Sequence, residues 1–207
     1  IQTENVSNHT KWQPVYGERN EYTDDYNETL IHLKSTGWQG EFALRVRAYN
    51  EGVAFRYEIN SNEEVLIDAE LTEFVYPVDA NVWATNFAQG EIHKHKLSEL
   101  SFIAERPLLA ELSDSVFTAI GEAALVDFAR MRFKNDTSKT TTLTASLSKN
   151  TFKENNFQII IPAGGYTTPW RYVMAGKTPA QILQNNYLLL NLNEANKIAN
   201  TSFIKPG

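Results

Sequence analysis

The sequence predicts an all-β fold, a large antiparallel sandwich with one or two short helices. Two observations carry that expectation. Runs of period-2 alternation heavily outnumber helical patterns, and turn signals recur roughly every ten residues along the chain. With 207 residues, 42% of them hydrophobic and 12% aromatic, the chain can bury a substantial core, and no repeat, low-complexity tract or linker divides it. Residues 1–207 read as one domain.

The elements follow in order. The opening stretch up to Trp12 is polar and reads as loop. Residues 23–28, Thr-Asp-Asp-Tyr-Asn-Glu, gather three carboxylates but lack the ligand spacing and glycine of an EF-hand loop, so they read as an acidic surface turn. Residues 41–49 and 53–59 form a hairpin signal around Asn50-Glu51-Gly52, with Phe42, Leu44, Val46 and Ala48 on one parity and Arg45, Arg47 and Tyr49 on the other. Residues 66–76 alternate more weakly and stop before Pro77, and residues 141–148 and 157–162 add two more strands. Helix is suggested weakly at 98–105 and better at 177–190, where Thr178 can cap, Pro179 suits the first turn, and Ile182 and Leu183 can face inward.

Composition excludes several functions. A net charge of −6, from 19 basic and 25 acidic residues, offers no phosphate-neutralising stripe for nucleic acid. Zero cysteines rule out disulfides, thiolate-bound zinc and a thiol nucleophile. No apolar run approaches the roughly 18 residues of a membrane span. The Asn-x-Ser/Thr sequons at Asn5, Asn8, Asn27, Asn135 and Asn200 are expected by chance in a chain this rich in Asn, Ser and Thr. The chain begins without Met or a signal-peptide pattern and reads as a mature or excised piece.

Few motifs suggest chemistry. His93 and His95 would share one side of a strand, but two histidines make a poor metal site, and the interleaved lysines favour a solvated charged strand. Gly164-Gly165 lacks the Lys-Ser/Thr of a phosphate loop, and no Gly-x-Ser-x-Gly elbow occurs. Trp170 is expected to pack in the core and Arg171 to be a satisfied structural cation, ahead of a sugar-stacking role.

Glu122 poses the sharper question, because it lies in the apolar run of residues 119–128. A carboxylate buried without a partner is costly, so Glu122 should be exposed, paired or bound to something. In a helix it would be an ordinary surface residue. In a strand it would share a side with Ile120, Ala124, Val126 and Phe128, and would need an arginine or a cation. Strand-rich surroundings and Gly121 favour the strand.

Several stretches, taken in order, resemble the N-terminal domain of glycoside hydrolase family 97, a family of α-glucosidases and α-galactosidases. They are residues 12–28, 45–59, 121–133, 168–176, 188–194 and 201–207, the most specific being Tyr-Asn-Glu-Gly-Val-Ala-Phe-Arg-Tyr, Thr-Pro-Trp-Arg and the closing Ile-Lys-Pro-Gly. The resemblance implies a β-super-sandwich similar to galactose mutarotase, followed in the family by a catalytic (β/α)8 barrel. The chain would stop where the barrel begins and would lack the first strands of the sandwich, exposing strand edges.

By the same resemblance, one Ca²⁺ is held between sandwich and barrel, and Glu122 matches the ligand supplied by this domain. Without the barrel, Glu122 should be exposed, bound to water or capped by an arginine. The acid, base and nucleophile carboxylates belong to the barrel, so this chain supplies no catalytic residue and is expected to be inactive alone. The implied whole is an exo-acting, calcium-dependent α-glycosidase of the periplasm, outer membrane or exterior, acting on α-linked oligosaccharides or glycosides with its barrel in cis. The alternative is a stand-alone carbohydrate-binding or mutarotase-like module, for which His93 or His95 with Glu122 would be the acid/base candidates.

Overall fold

The computed structural model describes residues 1–34, 36–136, 138–148 and 159–205. In chain order the strands are β1 (Gln2–Trp12), β2 (Tyr22–Leu33), β3 (Glu41–Ala48), β4 (Gly52–Ser61), β5 (Val65–Ile67), β6 (Glu73–Val75), β7 (Asn81–Ala84) and β8 (His93–Lys96). They continue with β9 (Leu108–Ser113), β10 (Val116–Ala123), β11 (Met131–Asn135), β12 (Thr142–Leu147), β13 (Ile159–Ile161), β14 (Gly164–Thr167) and β15 (Trp170–Gly176). Two short helices, α1 (Pro179–Gln184) and α2 (Tyr187–Asn191), follow.

A ten-stranded antiparallel sheet runs β1-β2-β3-β4-β15-β10-β9-β7-β8, with β14 also pairing with β4. Smaller sheets, β11-β12-β6 and β13-β5, lie apart from it. The fold is therefore the all-β sandwich that the alternation predicts. β15 is the hinge of the large sheet: late in sequence, it inserts between β4 and β10 and joins its two halves.

β10 shows why its sequence reads as one long apolar run. Ile120 faces a core shared with Val82, Leu108, Phe133 and Leu143, whereas Phe117, Ala119 and Ala123 face a second core with Trp170, Tyr172, Ile182 and Leu188. A strand buried on both faces has no polar parity. The second core is closed by α1 and α2. Thr178 caps α1 by accepting the Gln181 N–H at 3.1 Å, with Pro179 in the first turn, as the sequence suggests.

Five expectations need correction. The polar opening is not loop but β1, eleven residues paired with β2 in continuous register. Its stability comes from ladder hydrogen bonds, which leave no hydrophobic signature. Residues 23–28 are not a surface turn but lie in β2, and Glu28 is buried. Residues 98–105 hold only the end of a single 3-10 turn, Leu97–Glu99. Ile182 faces inward but Leu183 is 72% exposed, because a six-residue helix lying on a sheet buries one narrow stripe. β10 ends at Ala123, so Ala124, Val126 and Phe128 do not continue its face. Of the strand expected at 157–162, residues 159–161 form β13, and its first two residues lie outside the described ones.

Candidate functional site

Glu122 lies on β10 facing the space between the sheets, with its side chain only 2% exposed. The register of β10 and β15 sets Arg171 directly opposite. Cross-strand neighbours of opposite charge attract, and Arg171 Nη1 donates to Glu122 Oε2 at 2.8 Å. Arg106, just before β9, ion-pairs with Glu122 Oε1 through Nε. The Met131 N–H at the start of β11 is shared between the two carboxylate oxygens at 3.2 and 3.1 Å. Burial pushes the Glu122 carboxyl above its ordinary value, against the pull of Arg171, Arg106 and that N–H.

The pairing extends in both directions. Arg171, fully buried, donates Nε and Nη2 to the two oxygens of Glu70 at 2.9 and 2.6 Å. Burial works against its guanidinium, yet Glu70 and Glu122 hold it above its ordinary value. On the other side, Arg106 Nη1 lies 3.4 Å from Oε2 of Glu105, and Arg130 Nη2 lies 2.8 Å from Oε1. The result is an alternating row, Glu70–Arg171–Glu122–Arg106–Glu105–Arg130, threaded through the sandwich. Among its arginines exposure rises from nothing at Arg171 to 21% at Arg106 and 38% at Arg130, while the carboxylates stay buried.

Two features flank the row. The segment after β10 holds Ala124 at φ 54° and Asp127 at φ 50°, left-handed conformations that L-residues adopt at a cost. Phe128, from the same segment, packs against Tyr166 and lies 5.9 Å below the Arg171 guanidinium. At the Glu70 end opens a cleft of about 530 Å³ walled by Trp38, Phe42, Tyr57 and Phe128, with Glu70 and Thr72 at its polar side. Tyr57, Thr72 and Glu70 bond one another there, at 2.7 and 2.8 Å.

A second charged array crosses the opposite face of the sheet. Glu28 pairs with Arg45 and with Arg47, the latter at 2.7 Å, and Glu58 pairs with Arg45 at 2.5 Å and Arg56 at 3.5 Å. The Arg47 guanidinium lies between the Tyr26 and Trp170 rings, at 4.1 and 4.6 Å, and Arg56 lies 4.5 Å from the same Trp170. Trp170 is thus a core residue and Arg171 a satisfied cation, as expected.

The other sequence candidates are not drawn to Glu122. His93 and His95 occupy β8, where His93 is exposed beside Glu91 and His95 packs edge-on against Phe102. Three strand spacings separate β8 from β10, roughly 14 Å, so no His/Glu acid–base pair forms across the sheet. Among the described residues no group of three or more His, Cys, Asp or Glu side chains could hold a metal ion. Sequence reading missed Glu70, Glu105 and Arg106. Only the register of β10 on β15 could have pointed to Arg171 as the partner of Glu122.

The fold and this buried charge row define a β-sandwich module whose unusual chemistry is concentrated beside one strand end. The pattern of the family described as "Glycosyl-hydrolase 97 N-terminal" matches residues 1–195. The chain belongs to that family. A glycoside hydrolase family 97 enzyme from Pseudoalteromonas sp. strain K8, solved in complex with acarbose, superposes with a TM-score of 0.91 at 29% identity, covering all of this chain and 32% of the other. The chain thus spans about a third of that relative's length. A β-arabinopyranosidase aligns at TM-score 0.71 and 15% identity, over 84% of this chain and 31% of the other. A GH36 α-galactosidase from Geobacillus stearothermophilus aligns at 0.55 and 13%, over 91% and 30%. At such identities these two share the fold alone.

Proposed function

We propose that this chain is the N-terminal domain of an exo-acting α-glycosidase, of α-glucosidase or α-galactosidase type, and that it is inactive alone. The observation that carries the reading is the match along the whole chain to a family 97 enzyme that binds acarbose. A variant of that enzyme was solved with panose, which supports an α-linked oligosaccharide as the substrate class. The paired carboxylates of glycoside hydrolysis, acid and base or nucleophile, are assigned to a (β/α)8 barrel in cis and not to any residue here. This domain contributes a wall beside that site and a surface against the barrel. A periplasmic, outer-membrane or secreted location goes with the family.

Calcium enters the proposal through Glu122 alone. Its carboxylate is desolvated and held on both oxygens by Arg171, Arg106 and the Met131 N–H. A carboxylate has about four accepting positions, and here Arg171, Arg106 and the doubly shared Met131 N–H fill them. The residues therefore fit one Ca²⁺ contact only once one donor withdraws, with the remaining ligands supplied by the barrel. Bound there, the ion would supply positive charge beside the reacting sugar. What this chain's own residues do is hold the Glu122 carboxylate in place.

The test is calorimetric calcium titration of this chain and of the full-length protein, each with and without Glu122→Gln, alongside hydrolysis of aryl α-glucosides and α-galactosides. Tight binding by the full-length protein alone, weakened by the substitution and accompanied by hydrolysis, is the expected result. Full-length protein that cleaves neither substrate class overturns the glycosidase reading.

A further inference from the structure

We infer that the turn after β10, residues 124–127, is a docking knob that holds Leu125 and Val126 out for an apolar pocket on the catalytic part of the full-length enzyme. The inference rests on the glycosidase reading above and names the piece of this domain that seats the barrel. Three observations lead there. The chain turns out at Ala124 (φ 54°) and back at Asp127 (φ 50°), and between them Leu125 is 39% and Val126 76% exposed. A plain connection would carry Gly or Asn at left-handed corners and polar residues at its tip. Asp is tolerated at such a corner, but Ala is not favoured there. The turn therefore combines backbone strain with apolar surface in water, and nothing it does within this chain calls for either.

The second observation is that the turn is held firmly. Phe128 stacks on Tyr166 with ring centroids 6.0 Å apart, and the Tyr166 hydroxyl donates to the Asp127 carbonyl oxygen at 2.7 Å. Ala124 packs against the second core and Phe128 against the first. The tip is thus exposed on a fixed base, and side chains presented by a preformed element lose little freedom on binding.

The third concerns what covers it. Leu125 and Val126 together present on the order of 100 Å² of apolar surface, against about 800 Å² per partner in a stable complex of separate chains. So small a knob does not hold two molecules together. Within one polypeptide it meets its pocket at roughly millimolar effective concentration, which suffices to fix the register of two domains. This chain spans about a third of the Pseudoalteromonas enzyme it superposes on, and the pocket is assigned to the part of the full-length protein that corresponds to the rest. Ala124 follows directly on β10, two residues beyond Glu122. Seating the knob therefore sets where the charge row stands relative to the barrel.

The experiment uses the full-length protein. This chain holds no cysteine, so Val126→Cys places a single thiol in it, and maleimide labelling is followed peptide by peptide by mass spectrometry. The folded variant should label about tenfold or more slowly than the same variant in guanidinium. Faster labelling than that means an uncovered knob and overturns the inference. A slow rate that recovers on dilution of the protein assigns the knob to a second copy and overturns docking in cis. In parallel, Val126→Asp would force a charge against the pocket and should lower kcat/KM for aryl α-glucosides or α-galactosides about tenfold or more. Val126→Ile, which stays apolar, should keep it within about threefold. Unchanged hydrolysis by Val126→Asp also overturns the inference, and the glycosidase reading would then stand. A parent protein that cleaves neither substrate class overturns that reading instead, whereas the labelling rate still reports on the docking.

Discussion

The alternating charge row makes a quantitative prediction about which member the fold depends on. Arg171 is shared by two buried carboxylates, making three hydrogen bonds to Glu70 and Glu122 with no solvent contact. Arg171→Met would leave Glu70 in the sandwich without its cation and Glu122 with Arg106 alone. Removing one partner of a buried ion pair typically costs about 3–5 kcal/mol. For a domain of this size 1 kcal/mol is worth about 2–4 °C, so the midpoint should fall by roughly 6–20 °C. Glu122→Gln is different, because Arg171 keeps Glu70 and Arg106 keeps Glu105. Its cost should be nearer 1–2 kcal/mol, the value of charge-assisted hydrogen bonds lost without stranding a charge. Thermal unfolding of this chain, followed by circular dichroism in a double-mutant cycle, separates the two. A loss in Glu122→Gln as large as that in Arg171→Met would refute the view of Arg171 as the shared centre of the row.

Two further outcomes follow from backbone and phenol environments. A Cβ at Gly52, where φ is 157°, would come within 2.1 Å of the Val173 carbonyl oxygen across the β4–β15 pairing, so Gly52→Ala should destabilise by at least about 2 kcal/mol in urea unfolding. Burial pushes the hydroxyls of Tyr76 and Tyr172 up to about 12, with Thr118 pulling Tyr76 and Arg106 pulling Tyr172 the other way. Folded values above the ordinary 10.0 mean that the stability these two contribute is complete below pH 10 and is lost as pH rises toward 12. Absorbance near 295 nm should show these two tyrosines ionising well above pH 10, together with unfolding. Their titration near pH 10 in the folded chain would contradict the burial described.

The sandwich was legible because its strands bury side chains, and burial writes period-2 patterns or unbroken apolar runs into the sequence. β1 escaped because an edge strand can be held by its ladder and a few polar contacts, with Thr, Asn and Ser at five of its eleven positions. The acids of 23–28 misled for a related reason. Glu28 is buried by Arg45 and Arg47, and that pairing is a matter of register between β2 and β3 rather than of local composition. Glu122 could be read as needing a cation, but its donors come from 49 residues downstream, 16 upstream and a backbone N–H. Glu70 misled in another way: the weak alternation of 66–76 suggests one strand, but the chain breaks between β5 and β6 and Glu70 lies in the irregular gap. Long-range charge pairing leaves little trace in a single sequence.

The late insertion of β15 has a consequence for the order in which the molecule can assemble. As the chain leaves the ribosome, β1 to β4 can pair with one another, and so can β7 to β10, but the two groups share no ladder until residues 170–176 arrive. Until then each group presents a bare inner edge, β4 on one side and β10 on the other, open to pairing with a neighbouring chain. Folding is thus finished from the back of the sequence. The strand that closes the sheet also carries Arg171, so the charge row and the continuous sheet come into being in a single event.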